Sequence, residues 1–187
     1  YSEEEKYARA IMNYDKAIVT KATDAELYMK RAALHRQLNN HRSYVLNDYD
    51  AAIKLQPQNI EYYKIKAEYL ASNINPDTHK YDFQAASNTI NEAIALDRAN
   101  PELYYLKARY LADGEFYLAA LTEIDKAIAL DNTNPEYYAQ RGKIHFGITR
   151  YRNAYADYGR AIRLDSTVYQ YFEQRWSPVE WPCHNRH

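Results

Sequence analysis

Few residues of this chain have the types and spacing that catalysis or metal binding requires. Cys183, His184 and His187 are ligand types that a metal ion accepts, but they crowd together near the chain's end without a fourth partner. His35 and His145 each stand three residues after a small residue, where core packing explains them better than acid–base chemistry. The chain also has no glycine-rich phosphate loop, no nucleophile elbow and no His-Glu-x-x-His motif. We therefore predict no enzyme activity, no bound metal and no cofactor.

The composition excludes several classes of protein. With 187 residues, of which 47% are hydrophobic and 26% charged, the chain can bury the core of one ordinary domain. No run of about 18 apolar residues occurs, so we expect no insertion into a membrane. The net charge of -1 argues against a surface that neutralises phosphates, so we expect no nucleic-acid partner.

A five-residue segment occurs in five similar copies along the sequence. Such an internal repeat must be recognised before any other feature, because it determines the fold. The copies are 14–18 (YDKAI), 49–53 (YDAAI), 90–94 (INEAI), 124–128 (IDKAI) and 158–162 (YGRAI). Their alanines follow one another at 35, 41, 34 and 34 residues. A period of 34 residues is typical of a repeated pair of helices.

Each repeat predicts a first and a second helix. Asn100-Pro101-Glu102 and the same triplet at 134–136 combine an N-cap, a proline that loses nothing at this position, and an acid at the positive end of the helix. An aromatic slot follows, and a small residue stands one turn later. The aromatic slot holds Tyr28, Tyr63, Tyr104 and Tyr138, and the small slot holds Ala32, Ala67, Ala108 and Gly142. We expect this alternation to bring paired helices close together in the core.

The pattern of these slots resembles the tetratricopeptide repeat. In the last copy the matching residues are Tyr138, Gly142, Ala154, Tyr158 and Ala161, although tyrosine stands where the family often has tryptophan. The resemblance implies an all-α fold, a right-handed α–α superhelix of antiparallel helical hairpins with a C-terminal capping helix. The related pentatricopeptide array would read RNA bases, but the near-neutral charge and the repeat endings favour the relative that binds proteins.

We predict a single array over residues 1–176. It begins with a partial repeat, the second helix only, at 3–20; either more chain precedes this helix or another element covers it. Complete repeats are predicted at 24–55, 59–97, 100–130 and 134–164, with a long loop at 73–82 inside the second of them. A capping helix at 167–176 and a flexible tail at 177–187 complete the expected organisation.

The resemblance places the first helices on the concave side of the array, where they would form a groove for a peptide or a protein segment. The candidate groove residues are Met29, Lys30, Lys64, Ile65, Glu68, Tyr105, Leu106, Arg109, Gln140 and Lys143. We do not expect a clamp for the C-terminal carboxylate of a chaperone, because Glu102 and Glu136 would repel it. The predicted function is a non-catalytic interaction scaffold or adaptor. The alternatives are a structural subunit that uses the array ends and the convex face, or the regulatory arm of a larger protein.

Overall fold

The computed structural model describes residues 2–38 and 41–166 of the chain. This part holds nine α-helices and one pair of short strands. The helices are α1 Glu3–Thr20, α2 Ala25–Gln37, α3 Arg42–Leu55, α4 Ile60–Ser72, α5 Phe83–Leu96, α6 Pro101–Asp113, α7 Tyr117–Leu130, α8 Pro135–Gly147 and α9 Tyr151–Leu164; the strands are β1 Ile74–Asn75 and β2 Lys80–Tyr81. The capping helix and the tail expected at 167–187, with Cys183, His184 and His187, lie outside the described residues.

The helices pair in sequence as antiparallel hairpins, α2 with α3, α4 with α5, α6 with α7, and α8 with α9. The predicted all-α class with helical hairpins is therefore confirmed. The chain divides between Arg98 and Ala99 into two compact units, unit 1 before this point and unit 2 after it.

Side chains of Asn and Asp begin the first helix of every hairpin. The Oδ1 atom of Asn100 accepts a hydrogen bond from the backbone N–H of Glu102 at 3.1 Å, and Asn134 does the same for Glu136 at 2.9 Å. Asp24 and Asn59 cap α2 and α4 in the same way. Each cap satisfies a backbone donor that the first turn leaves without an intrahelical partner. The N-cap role predicted from the Asn-Pro-Glu triplets is confirmed.

The small slot of the first helix lets the second helix approach closely. A Cβ atom added to Gly142 would lie 2.6 Å from Cε1 of Tyr158, so the ring occupies the space that any larger residue would need. Ala32, Ala67 and Ala108, which hold the slot in the other hairpins, are fully buried. At Gly142 the small slot of the first helix therefore receives a large side chain of the second helix, as close-packed interiors require.

The aromatic slot has a second role that its spacing alone did not indicate. The phenol of Tyr138 donates a hydrogen bond to the carbonyl oxygen of Asn132 at 3.1 Å, and Tyr63 donates to Pro57 at 3.0 Å. Tyr28 donates to Ala22 at 3.1 Å. In each case the acceptor lies six residues earlier, in the turn before the helix. The tyrosine of this slot thus connects the turn to the helix.

The segment predicted as a long loop at 73–82 contains an antiparallel pair of strands, with Ile74 opposite Tyr81. Arg42 of α3 connects α3 to the two ends of this β-hairpin. Its Nη1 donates to the carbonyl oxygen of Asn73 at 2.9 Å, and its Nη2 donates to Oδ2 of Asp82 at 2.6 Å. The polar composition of the segment concealed the strands, because two residues on each side are too short for an alternating pattern.

Candidate protein-binding faces

The ten candidate groove residues lie on the first helices of both units. Met29 and Lys30 of α2 with Lys64, Ile65 and Glu68 of α4 form the first-helix face of unit 1. Tyr105, Leu106 and Arg109 of α6 with Gln140 and Lys143 of α8 form the first-helix face of unit 2.

The face of unit 1 combines two half-buried apolar side chains with charges of both signs. Met29 and Ile65 pack against the core around Ala32 and Val45 and keep part of their surface open. Lys30 pairs with Glu26 at 2.8 Å, a contact that raises the pKa of Lys30 above its ordinary value. Lys64 pairs with Glu61 at 3.3 Å, and Glu68 is exposed. Each of the two lysines thus pairs with an acid of its own helix.

The face of unit 2 is built around an aromatic pair. The half-buried ring of Tyr105 lies 5.3 Å, centroid to centroid, from the ring of Tyr137. Tyr137 is buried, and this burial raises the pKa of its phenol. Arg109 lies 4.9 Å above the ring of Tyr110 and donates to its hydroxyl at 3.1 Å. Lys143 of α8 donates to Oδ1 of Asp113 of α6 at 2.8 Å.

Two of the residues expected on this face are buried. Leu106 is 9% exposed and Gln140 is 8% exposed. The Nε2 atom of Gln140 has no hydrogen-bond partner within the part of the chain that the structure describes. The spacing of residues along a helix shows which side each one occupies, but not how closely neighbouring elements cover that side. The open part of the face is therefore formed by Tyr105, Arg109 and Lys143.

A set of ionic bridges between helices recurs along the chain and was missed by the sequence analysis. Arg141 of α8 donates from Nε and Nη2 to both carboxylate oxygens of Asp157 of α9 at 2.9 and 2.7 Å. Its third nitrogen, Nη1, donates to Oδ1 of Asp125 of α7 at 2.8 Å. One guanidinium therefore connects its own hairpin to the second helix of the hairpin before it.

The same arrangement repeats elsewhere at the same position. Arg31 of α2 bridges Asp48 of α3 and Asp15 of α1, with Nη1 of Arg31 2.7 Å from Oδ1 of Asp15. Lys66 reaches Asp50 at 2.6 Å. The sequence contains the residues that form these bridges at regular positions. An Arg or Lys stands directly before every small slot, and an acid often stands two or four residues before the repeated Ala. We call the position before the small slot the cation slot.

Two carboxylates of these ionic bridges are buried, and their surroundings shift the pKa values of neighbouring side chains. The side chains of Asp48 and Asp157 are 3% and 10% exposed, and their hydrogen bonds raise the pKa of Arg31 and Arg141. His145 lies beside this cluster, with Nε2 3.7 Å from Oδ2 of Asp157. Burial lowers the pKa of His145, so its ring is neutral at neutral pH. It is buried in the core, as its position after the small slot predicted.

Residues 2–38 and 41–166 contain no group of three or more His, Cys, Asp or Glu that could hold a metal ion. Within the same residues, every helix is too short or too polar to cross a membrane.

Solved structures with the same arrangement of helices establish the fold. A MamA protein matches with a TM-score of 0.67 and 17% identity over 91% of this chain and 99% of its own. A thermophilic TPR protein of Thermus thermophilus matches with a TM-score of 0.63 and 16% identity over 91% of this chain and 90% of its own. The chain has the tetratricopeptide-repeat fold.

A further tetratricopeptide-type neighbour is MamA from Desulfovibrio magneticus, with a TM-score of 0.67 and 16% identity over 86% of each chain. No family model matches the chain, and no curated protein matches it. The tetratricopeptide-repeat resemblance drawn from the sequence is confirmed as a fold.

Proposed function

We propose that the chain is a non-catalytic adaptor that binds a peptide or protein segment along the first-helix faces. The observation that carries this proposal is the preorganised set on unit 2, where the half-buried ring of Tyr105 lies against Tyr137 and the flanking Arg109 and Lys143 already contact neighbouring residues of their own. Tyrosine and arginine contribute disproportionately to binding energy at interfaces. Side chains that are ordered before binding lose less entropy when the partner arrives.

The charges of these faces define the class of partner. Cations and acids both occur on the first helices of both units, which suits a polypeptide of mixed charge with an apolar residue for the open side of Tyr105. Glu102 and Glu136 are both exposed near the start of α6 and α8, so we propose no clamp for a terminal carboxylate. The net charge of -1 gives no excess of cations for a nucleic-acid backbone, so the proposed partner is a protein.

A selection from a displayed peptide library, followed by titration of the best binder, tests the proposal. The double variant Tyr105→Ala/Arg109→Glu removes the aromatic anchor and reverses the adjacent charge. We expect the dissociation constant to rise at least about 30-fold, which corresponds to the roughly 2 kcal/mol of a binding hot spot. The control, Leu118→Ala/Lys54→Glu, makes matched changes on exposed residues of second helices and should bind as the wild type does.

Unchanged binding by the Tyr105/Arg109 variant, with its helical circular dichroism intact, would refute the adaptor proposal. The alternative is a structural subunit whose second helices pack into an assembly. It is favoured by the exposed apolar residues Val19 and Leu118, which are 84% and 69% exposed. A partner that binds to the second helices is lost by the Leu118/Lys54 variant and retained by the Tyr105/Arg109 variant.

A further inference from the structure

Helix α1 carries the residues with which the other second helices pack on their own first helices. On α3, α5, α7 and α9 these positions are buried; on α7, for example, Ile124 and Ala127 are fully buried. The same side of α1 carries Ala10, Tyr14 and Ala17, which we call the α1 stripe, and these residues are only half-buried. No residue of α1 is buried. Within the part of the chain that the structure describes, the α1 stripe thus lacks the covering helix that the other second helices have.

The helix that follows α1 packs on a different side of it. Nη1 of Arg31 of α2 lies 2.7 Å from Oδ1 of Asp15, which marks the side of α1 that α2 covers. Ala10 and Ala17 lie roughly 140° and 160° around the helix from Asp15, because each residue turns an α-helix by about 100°. The α1 stripe therefore faces away from α2.

The start of α1 also differs from that of the other second helices in unit 2. There the tight turns 114–116 and 148–150 bring each first helix onto its second helix. The residues at the same distance from the repeated Ala of α1 are 4–6, and they are helical. They follow an N-cap at Ser2, where Glu5 completes a capping box. α1 therefore has no tight turn of the kind that places a first helix on this side in those hairpins.

The side of α1 that carries the α1 stripe keeps the spacing of a helix that pairs with another helix along its whole length. Steps of four and three residues alternate along it, as in the seam of a coiled coil. The residues are Glu3, Tyr7, Ala10, Tyr14, Ala17 and Lys21. The two alanines are as far apart as the two tyrosines, so an antiparallel copy with Ala10 opposite Tyr14 also sets Ala17 opposite Tyr7. Each small residue then faces a large one, as close packing requires.

The charges at the two ends fit the same antiparallel register. Glu3 precedes Ala10 by as many residues as Lys21 follows Tyr14, so Glu3 of one copy lies opposite Lys21 of the other. Both side chains are exposed, and neither forms an ion pair with any residue of 2–38 or 41–166. A parallel arrangement would instead bring Glu3 beside Glu3 and tyrosine beside tyrosine, which disfavours it.

We propose that two copies of this chain associate through α1, with the two α1 stripes packed antiparallel about a two-fold axis. The same surface of each copy then meets itself, as in most dimers of identical chains. One helix from each copy forms a small interface by the standard of permanent dimers, so the association is reversible.

Sedimentation velocity of the full chain over a range of concentrations tests this inference, and we expect a monomer–dimer equilibrium. The double variant Ala10→Glu/Ala17→Glu places four carboxylates at the centre of the dimer and should raise its dissociation constant at least about tenfold. The matched control, Ala8→Glu/Val19→Glu, adds the same charge on the opposite side of α1 and should dimerise as the wild type does. Ala8 is exposed, and Val19 is 84% exposed.

Exchange of the end charges tests the antiparallel register. Glu3→Lys and Lys21→Glu should each raise the dissociation constant of the dimer about threefold, because like charges then meet at both ends. The combined variant Glu3→Lys/Lys21→Glu should restore the wild-type value, since opposite charges face each other again. A combined variant that is weaker than both single variants would overturn the register.

Three further results would overturn the inference. The first is a chain that stays monomeric up to about 1 mM. The second is an Ala10/Ala17 variant that dimerises as the wild type does, with its helical circular dichroism intact, because the interface would then lie elsewhere. The third is a monomeric chain whose α1 stripe binds an added peptide of the α8 sequence, since this would assign the stripe to a first helix instead of a second copy of α1.

Discussion

Removal of the Arg141 guanidinium tests whether the ionic bridges stabilise the fold. In Arg141→Met the aliphatic part of the side chain remains while three hydrogen bonds are lost, two to Asp157 and one to Asp125. The side chain of Asp125 is 59% exposed and can return to water, so its bond contributes at most about 1 kcal/mol. The side chain of Asp157 is 10% exposed and would be left buried without its counter-ion.

The expected loss follows from that buried carboxylate. Breaking a buried pair by removing one partner costs about 3–5 kcal/mol. Because Arg141 itself is 24% exposed, water can partly replace it, and we expect the lower end, about 3 kcal/mol. Lys143, two residues further along α8, is the matched control. Its pair with Asp113 has side chains 41% and 31% exposed, so Lys143→Met should cost less than about 1 kcal/mol.

Native-state hydrogen exchange, read by mass spectrometry for each helix, measures both variants. A loss of about 3 kcal/mol accelerates exchange in α8 and α9 by roughly 100-fold, since 1.4 kcal/mol corresponds to a factor of ten. Adding Asp157→Leu to Arg141→Met should recover most of the loss, because the orphaned charge is then absent. Equal effects of Arg141→Met and Lys143→Met would refute the reasoning, as they would show that Asp157 is solvated without its partner.

Four further substitutions have defined expectations, each measured by urea unfolding. Tyr138→Phe removes the hydrogen bond from its phenol to the preceding turn and should cost about 1 kcal/mol. Gly142→Ala forces a Cβ into the ring of Tyr158 and should cost about 1–3 kcal/mol, whereas Gly159→Ala meets nothing nearer than 3.4 Å and should stabilise α9 by about 0.5–1 kcal/mol. His145 has its pKa lowered by burial from 6.5, so the unfolded chain binds more protons and the free energy of unfolding should fall as the pH drops below about 6.5; His145→Gln should lessen that fall.

Controls for these changes are available in the same unit. Tyr151→Phe removes a hydroxyl from a side chain that is 41% exposed and keeps the ring, and it should leave the free energy of unfolding unchanged. A loss at Tyr151 equal to that at Tyr138 would contradict the role of the turn hydrogen bond. Similar effects of the two glycine substitutions would contradict the close approach at Gly142. An identical pH dependence with and without His145 would assign the acid sensitivity to other groups.

The sequence by itself determined the repeat, the helical hairpins and the residues that interlock them. Periodicity shows which residues share one side of a helix, and the caps at Asn100 and Asn134 and the small slot at Gly142 follow from local rules of helix structure. These features depend on positions within one helix or one hairpin, so a single sequence with a period of 34 residues contains enough information to predict them.

Only the tertiary structure decided which residues of the first-helix faces are exposed and which charged side chains form ion pairs. Leu106 and Gln140 stand on the predicted face yet are buried, because coverage by neighbouring elements depends on distances between helices that spacing does not encode. The bridge from Asp125 through Arg141 to Asp157 joins three helices whose residues lie 16 apart in sequence. Such contacts depend on how the hairpins pack against one another. The same packing determines which side chains of the first helices stay exposed.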